Sequence, residues 1–421
     1  MKSEILPSSL ALTGSDKFML ALEQHPRPQG AAGNTCHYIL ELDGIIDAET
    51  FKEHLLHDPW ITYLSSLQLA RKGRHLNQWI PTSPKSPIVR ILENDTFFPL
   101  EISSLNLELG HPLLNFHLIQ RSKGQSALVL SWHHLLMDGY GASLLLRHIS
   151  GERCTLFEKR LKTPVNRRHF RSARKAKRYI DSSSRGNLAS IDHAGPQQIH
   201  AVLGLVELNK EEGERMKKAA EKANARFGTG NFVLAIAAQI VRKHTPLINA
   251  GEDFWVPVPQ DKRKKGAIGP VVGNQLSFLF YRIRDNKTEN TEELVTDLDQ
   301  QMLHQIKEHI PSSYGHLMNY LRRAGSKWYY RRLKGPKGAS LTSFLLTHAP
   351  EHPTSLDRFF GLRILNAVNI PPNSPSPGLT VSLSTFGDRR HLILQTYDHI
   401  LNEEQVKAFL TDFKNKLVQA E

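Results

Sequence analysis

Short apolar runs and segments of helical periodicity take turns along this chain. The runs match buried or half-buried strands, and the periodic segments match amphipathic helices. The strand candidates are 38–44, 126–132, 254–258, 275–283, 379–385 and 391–397. The helix candidates are 47–56, 140–148, 210–226, 231–241 and 403–417. This order predicts an α/β protein.

Two features near the C-terminus support the assignment. Segment 386–390 separates the last two strand candidates at the length of a hairpin turn. The closing helix candidate carries one apolar stripe, formed by Val406, Phe409, Leu410, Phe413 and Leu417. We expect two lobes of similar size, an N-terminal lobe over 1–180 and a C-terminal lobe over 181–421.

The expected boundary falls at a strongly basic stretch. Segment Lys159–Arg178 contains ten Lys or Arg residues and no acid, and serines 182–184 with Gly186 follow it. Such a composition predicts a surface crossover between lobes. It is either a solvated linker or a surface that docks an acidic partner.

Charge narrows the choice of partner only partly. The 421 residues carry a formal net charge of +13. That field attracts coenzyme A phosphates, an acidic acyl carrier protein, an anionic membrane surface or nucleic acid. Two further basic clusters lie at 262–265 and 322–337, and the second interleaves aromatic residues at 328–330. No nucleic-acid fold motif accompanies them, so nucleic acid is the least favoured partner, and plain solvated faces explain the charge equally well.

The sequence also bears on compartment and metal. No apolar run reaches the length needed to cross a bilayer, and the first residues lack the apolar core of a signal peptide. Cys36 and Cys154 are the two cysteines, and neither has metal-ligand spacing, so no structural zinc is expected. We expect a cytoplasmic protein with two unpaired thiols, possible peripheral contact with an anionic membrane, and no metal.

The candidate chemistry lies in segment His133–Gly139, which reads His-His-Leu-Leu-Met-Asp-Gly between a predicted strand and a predicted helix. A side chain at a strand end is held rigidly and can still reach a cleft. A neutral His134 is able to accept a hydroxyl or amine proton near neutral pH. We expect Asp138 to turn back into the loop and fix its geometry. We expect Gly139 to adopt a backbone angle that other residues disfavour.

The alternative is a pair of packed histidines at a strand end, and the Asp-Gly spacing favours catalysis over it. No competing catalytic pattern occurs, because the sequence lacks a GxSxG elbow, a phosphate loop and HExxH. His134 is therefore the predicted general base, and Asp138 is predicted to be catalytic together with it. His133 is expected to have a packing or orienting role.

This segment resembles the HHxxxDG signature of the chloramphenicol-acetyltransferase-like superfamily of acyltransferases that use coenzyme A or carrier-protein thioesters. Within it, the chain is similar nearly end to end to the bacterial wax ester synthase/diacylglycerol acyltransferase family. The segments that carry the resemblance are Ser15–Glu23, Asn231–Ala235, Val256–Pro259 with Arg263, and Gly273–Ser277. The chain departs from that family at Phe232, where the family has Asp, and at Thr347–Pro350, where it has Ser-Asn-Val-Pro.

The resemblance implies a fold of two similar lobes, each a mixed sheet flanked by helices, with an active-site tunnel between them. It implies that His134 lies mid-tunnel and activates a hydroxyl of a hydrophobic alcohol or phenol for attack on an acyl-CoA or acyl-carrier thioester. No tightly bound cofactor is expected. Asn231 and Asn274 are candidates for substrate or oxyanion contacts, with a structural amide role as the alternative for each.

Two other functions stay open at this point. One is a carrier-protein-dependent condensation or N-acyl transfer of secondary metabolism. The other is a non-catalytic homologue that binds lipid or a carrier protein.

Overall fold

A computed structural model describes residues 6–25, 29–31, 33–72, 76–83, 86–110, 112–157, 167–191, 198–333, 342–374 and 376–419. Its helices are α1 Gly14–Leu22, α2 Ala48–His57, α3 Pro59–Ser66, α4 Leu100–Ser103, α5 Gly139–Ile149, α6 Arg167–Ser183, α7 Lys210–Lys222, α8 Gly230–His244, α9 Thr291–Lys307, α10 Ile310–Leu321, α11 Ser326–Arg332 and α12 Glu403–Val418. Its strands are β1 Leu10–Ala11, β2 Thr35–Leu42, β3 Leu67–Lys72, β4 Leu76–Pro81, β5 Ile88–Glu93, β6 Leu114–Gln120, β7 Ser126–His133, β8 Ser190–Ile191, β9 Ala201–Leu208, β10 Leu247–Ile248, β11 Phe254–Asp261, β12 Leu276–Ile283, β13 Leu345–His348, β14 Arg358–Phe359, β15 Leu362–Ile370, β16 Thr380–Phe386 and β17 Arg389–Tyr397.

A six-stranded sheet forms the first lobe, in the order β14-β15-β2-β7-β6-β5. The β5–β6 pair is parallel and the other pairs are antiparallel, so the sheet is mixed. Strand β7, which leads into the His-His segment, is paired on both sides and buried along its whole length. A fully paired central strand is a rigid base for the loop that follows it.

The second lobe has a four-stranded mixed sheet, in the order β13-β16-β17-β9. Helices α7, α8 and α12 pack against it, and the antiparallel pair β11–β12 lies beside it. The predicted stripe of α12 is buried at all five positions. Burial of such side chains contributes about 2 kcal/mol each before chain entropy is counted.

The sheets agree with the expected α/β fold of two lobes, each with a mixed sheet and flanking helices. One part of the sheet does not follow the predicted lobe boundary at residue 180. Strands β14 and β15 come from residues 358–370, and they extend the sheet of the first lobe. The remainder of that division stays a prediction. A small apolar cluster that includes Ile39, Val129 and Ile393 joins the facing sides of the two main sheets.

Part of the basic stretch Lys159–Arg178 is helical, which the sequence did not predict. Residues 167–183 form helix α6, which packs along α10 and buries Ala173 and Ala176. A role of the stretch as a crossover between the lobes stays a prediction. Residues 159–166 of the predicted crossover, and 334–337 of the third basic cluster, lie outside the described residues. The helices of the described ranges are each too short or too polar to span a lipid bilayer.

Candidate active site

The loop between β7 and α5 is held by its own hydrogen bonds. Trp132 Nε1 donates to the carbonyl oxygen of Met137 at 2.9 Å. The main-chain N–H of Leu136 donates to the carbonyl oxygen of His133 at 2.9 Å. The main-chain N–H of His134 donates to the Asn34 carbonyl oxygen at 2.7 Å. These bonds limit how far the ring of His134 is able to move.

The ring of His134 lines a cavity, and its two nitrogens differ in burial. Nδ1 is buried without a hydrogen-bond partner, whereas Nε2 is the less buried nitrogen. Burial lowers the pKa of His134, and its own carbonyl and the Asp138 carboxylate only partly oppose that effect. The imidazole is therefore neutral near pH 7 and able to accept a proton.

Asp138 organises the loop through hydrogen bonds, and none of them is to the His134 ring. Its Oδ1 accepts from the N–H of Gly141 at 2.8 Å and so caps α5. Its Oδ2 accepts from Arg263 Nη1 and from the N–H of Gln275, both at 2.8 Å. This geometry favours a positioning role for Asp138, and the catalytic role that the sequence predicts for it stays a prediction.

Gly139 is needed for space and not for its backbone angle. Its φ is not positive, which corrects the expectation from the sequence. A Cβ atom there would lie 2.8 Å from Asn369 Nδ2 and 3.3 Å from Pro350 Cδ. Gly141 is more restricted, because its Cβ would overlap the main-chain oxygen of Val271. Helix α5 can approach its neighbours this closely only with glycine at these positions.

Asn274 lies at the site, and its amide N–H groups are already engaged. Nδ2 donates to the His134 carbonyl oxygen at 3.1 Å and to Asp16 Oδ1 at 3.2 Å. The N–H of Asn274 also donates to Asp16 Oδ1 at 2.7 Å, and the N–H of Gly273 donates to the Leu136 carbonyl oxygen at 2.8 Å. Segment 273–275 thus clamps the loop from the other lobe, which favours the structural role for Asn274.

Asn231 does not reach the site. It lies on α8, where Nδ2 donates to Asp299 Oδ1 at 2.7 Å on α9, and it does not line the cavity. Phe232 beside it is buried in the second lobe's core. A substrate contact by Asn231 stays a prediction without geometric support.

His133 is buried at the end of β7. The N–H of Leu135 donates to its Nδ1 at 3.1 Å, and its Nε2 lies 3.5 Å from Glu23 Oε1. Glu23 also accepts a hydrogen bond from the side chain of Asn34. His133 therefore ties the end of α1 to the loop, consistent with an orienting role.

Sequence reasoning missed three residues at this site. Asp16 supports the clamp from α1, and its only signal was its place in a segment similar to the family's opening segment. Asn369 and His348 line the cavity. Asn369 had no sequence signal, and His348 stood out only as a departure from the family pattern.

The cavity has a volume of about 930 Å³ and takes its walls from both lobes. His134, Asp138, Gly139 and Asn274 line the cavity. Aromatic rings line another part of it, and this set is hereafter called the aromatic arm: Phe18, Trp255, Phe278, Phe280, Tyr314 and Tyr329. The rings of Phe280 and Tyr314 are 5.1 Å apart, edge to face. A cavity of this size lies at the upper end of the range for small-molecule sites.

Basic residues flank the aromatic side. Lys177 of α6 and Arg332 of α11 line the cavity, and the Arg332 guanidinium lies 5.0 Å from the ring centre of Trp328. Trp328 and Phe170 are exposed among these cations. The described residues contain no cluster of three or more His, Cys, Asp or Glu side chains that could hold a metal.

Comparisons with known proteins show where this fold occurs. No protein-family model and no curated protein sequence matches the chain. Among solved structures, a variant starter condensation domain of rhizomide synthetase in complex with C8-CoA and Leu-SNAC matches with a TM-score of 0.69 and 16% identity, over 98% of this chain and 94% of that one. The first condensation domain of the calcium-dependent antibiotic synthetase matches with a TM-score of 0.70 and 17% identity, over 99% and 97%.

A third match is trichothecene 15-O-acetyltransferase from Fusarium sporotrichioides, with a TM-score of 0.70 and 11% identity, over 97% of this chain and 94% of that one. The chain therefore has the two-lobed fold of condensation domains and of an O-acetyltransferase. The narrower similarity to wax ester synthases and diacylglycerol acyltransferases stays a prediction from the sequence segments.

Proposed function

We propose that this protein is an acyltransferase in which His134 is the general base. The observation that carries the proposal is a neutral imidazole on the wall of a cavity that both lobes line. Hydrogen bonds from Trp132, Leu136 and Asn274 hold the loop that carries it. The shared fold of condensation domains and an acetyltransferase supports the same class of reaction.

The reaction balances without a covalent enzyme intermediate. His134 Nε2 takes the proton of the acceptor hydroxyl as its oxygen attacks the thioester carbonyl carbon. The tetrahedral intermediate collapses, the carbon–sulfur bond breaks, and the imidazolium returns the proton to the thiolate. The products are an ester and a free thiol. Holding both substrates in one cavity supplies much of the rate by lowering the entropic cost of their encounter.

The donor is an acyl thioester of coenzyme A or of an acyl carrier protein. Arg332 at the cavity wall suits the phosphates of either donor, whereas Lys177 is already paired with Asp181 at 2.6 Å. The acceptor is a hydroxyl compound, in the narrowest version a hydrophobic alcohol or phenol. Wax ester or acylglycerol synthesis is one form of this proposal, and contact with an anionic membrane belongs to that form.

The test is thiol release from a panel of acyl-CoA thioesters with alcohol and phenol acceptors. His134→Ala is expected to lower turnover by roughly 10²–10⁴-fold, the usual contribution of a general base. His57→Ala, at an exposed histidine on α2, is the matched control and is expected to keep full turnover. Both variants are checked for an unchanged melting temperature. Normal turnover by a folded His134→Ala protein would remove the proposed base.

A second candidate is amide formation with carrier-bound substrates. The observation that favours it is the basic helix α6, which lines the cavity with Lys177, Ile180 and Asp181 and carries exposed arginines that suit an acidic carrier protein. The same assay with an amine acceptor, and with carrier-bound against coenzyme A thioesters, separates the two functions. A rate with carrier-bound donors alone, lost when Arg171 and Arg174 are replaced by Glu, would favour this candidate.

A further inference from the structure

The outward face of helix α6 carries a row of arginines. Arg167, Arg171, Arg174 and Arg178 follow one another at intervals of four, three and four residues, and all four are exposed. At this spacing they lie along one line of the helix, opposite the face that packs on α10. We call this row the arginine stripe. It is about 16 Å long at the rise of an α-helix.

The charge of the arginine stripe is not paired within the part of the chain that the structure describes. Segment 167–178 contains no Asp or Glu, and no described carboxylate forms an ion pair with the four guanidinium groups. The ion pairs of α6 involve its lysines instead, Lys175 with Glu308 and Lys177 with Asp181. Like charges one turn apart repel one another, so a partner of opposite charge binds favourably here.

Two large apolar side chains are exposed next to cations on this side of the protein. Phe170, beside Arg171 on α6, is 52% exposed, and its ring lies 5.8 Å from that of Tyr320 near the end of α10. Trp328 on α11 is 47% exposed and follows the exposed Lys327. Exposed aromatic rings among cations are typical of proteins that bind a membrane surface, where rings enter the headgroup region and cations meet lipid phosphates.

The two helices also line the cavity that contains His134. Helix α6 contributes Lys177 and Ile180, and α11 contributes Trp328 and Tyr329, of which Tyr329 belongs to the aromatic arm. A surface bound along α6 and α11 therefore lies beside this part of the cavity. A hydrophobic molecule dissolved in such a surface would have only a short path to the cavity.

We propose that α6 and α11 dock this protein on an anionic lipid membrane. The arginine stripe binds the lipid phosphates, and Phe170 and Trp328 enter the headgroup region. The two rings favour lipid over an acidic protein, because they lie on different helices and a membrane accepts apolar side chains at any point of its surface. The inference rests on the proposed function only in making the membrane the source of a hydrophobic acceptor, since binding itself needs no catalysis.

Sedimentation with lipid vesicles tests the docking. Vesicles of phosphatidylglycerol and phosphatidylcholine in equal parts are compared with vesicles of phosphatidylcholine alone, and we expect binding to the anionic vesicles to be about tenfold tighter or more. One arginine near an anionic surface contributes about fivefold in affinity, so Arg171→Gln with Arg174→Gln should weaken binding roughly twentyfold. Phe170→Ser should weaken it roughly three- to tenfold through the loss of inserted apolar surface.

Arg90→Gln with Arg226→Gln is the matched control. Both arginines are exposed, lie outside α6 and α11 and do not line the cavity, and their replacement changes the net charge by the same amount. Salt at about 0.1 M screens charges that are more than about 10 Å from the lipid, so the control should leave vesicle binding nearly unchanged. The melting temperature of each variant is measured to confirm that it folds.

Trp328 supplies a spectroscopic readout of insertion. The other four of the five tryptophans are buried, at 8% exposure or less. Anionic vesicles whose acyl chains carry bromine should therefore quench the fluorescence of Trp328 and little else. Trp328→Phe should abolish most of that quenching.

Three results would overturn the inference. They are equal binding to neutral and anionic vesicles, equal weakening by the two pairs of arginine changes, and no vesicle binding at all. In the last case, loss of turnover with carrier-bound thioesters in the Arg171 and Arg174 variant would assign the arginine stripe to a carrier protein instead. Failure of the proposed function gives a different outcome, namely no His134-dependent thiol release while the parent protein and His134→Ala bind anionic vesicles alike.

Discussion

The ion pair between the lobes, Asp138 with Arg263, allows a sharp test of how the loop is organised. Arg263 is 4% exposed, and its Nη1 lies 2.8 Å from Asp138 Oδ2 and 3.1 Å from Asp261 Oδ2. Arg263→Met leaves two carboxylates without their shared cation. Removing one partner of a buried pair costs about 3–5 kcal/mol. Asp138 keeps the N–H donors of Gly141 and Gln275, so we expect the low end of that range.

Asp138→Asn is the complementary change. Asn caps a helix as well as Asp does, so the start of α5 should persist. The cost then comes from the lost charge pairing, about 2 kcal/mol for a hydrogen bond to a charged group. In the double variant both partners are gone. Its loss in free energy of unfolding should differ from the sum of the two single losses by about 1–3 kcal/mol, as for residues in direct contact.

Urea unfolding of the four proteins, followed by tryptophan fluorescence, measures this coupling in the free energy of unfolding. Additivity within about 0.5 kcal/mol would refute the reasoning. Thiol release supplies a second readout. If Asp138 positions His134, then Arg263→Met and Asp138→Asn should lower turnover to similar extents. Loss of turnover in Asp138→Asn alone would instead indicate direct participation of the carboxylate in proton transfer.

Further predictions concern pH and glycine. Because burial lowers the pKa of His134, turnover should stay level as pH falls through 7 and should decline only below the ordinary histidine pKa of about 6.5; a decline that begins above pH 7 would contradict a neutral imidazole. Burial also lowers the pKa of His37 to about 3 and that of His117 to about 4, so the unfolded chain binds protons between those values and pH ~6.5 that the folded chain does not. The free energy of unfolding should therefore fall as pH drops, by on the order of 2 kcal/mol per histidine at pH ~5, and His117→Gln should flatten that dependence in urea titrations; an unchanged slope would contradict it. Gly141→Ala should lower the free energy of unfolding by about 2 kcal/mol or more through its overlap with Val271, whereas Gly315→Ala in α10, where a Cβ meets no atom within 4 Å, should raise it by about 0.5–1 kcal/mol. Equal effects of the two glycine changes on urea midpoints would show that the close approach at α5 is unimportant.

Local pattern predicted the elements that carry the His-His segment. Strand β7 and helices α5 and α12 lie where apolar runs and helical spacing placed them, within a few residues at each end. Their patterns are strong because each buries a continuous apolar face, and that need is written into neighbouring residues. Helix α6 was missed because its buried face consists of small alanines among cations, which has the composition of a linker.

The joining of distant segments escaped prediction. Strand β15 pairs with β2 across more than three hundred residues, and segment 273–275 reaches the loop after β7 from the other lobe. Nothing in local periodicity specifies such partners, because strand pairing depends on which edges meet after both lobes have formed. The same limit applies to Gly139, whose importance comes from Asn369 and Pro350, residues more than two hundred positions away.

The chain's own pattern thus determined the α/β class, the strand-loop-helix setting of His134 and the likeness to acyltransferases. Tertiary structure decided which side-chain N–H groups of the asparagines are engaged. Asn231 and Asn274 stood out in the sequence, and their Nδ2 groups donate to Asp299 and to the His134 carbonyl oxygen, whereas Nδ2 of Asn369 has no partner. Residue type sets what a side chain is able to bind, and only the packing of remote segments sets whether the protein has already used that capacity.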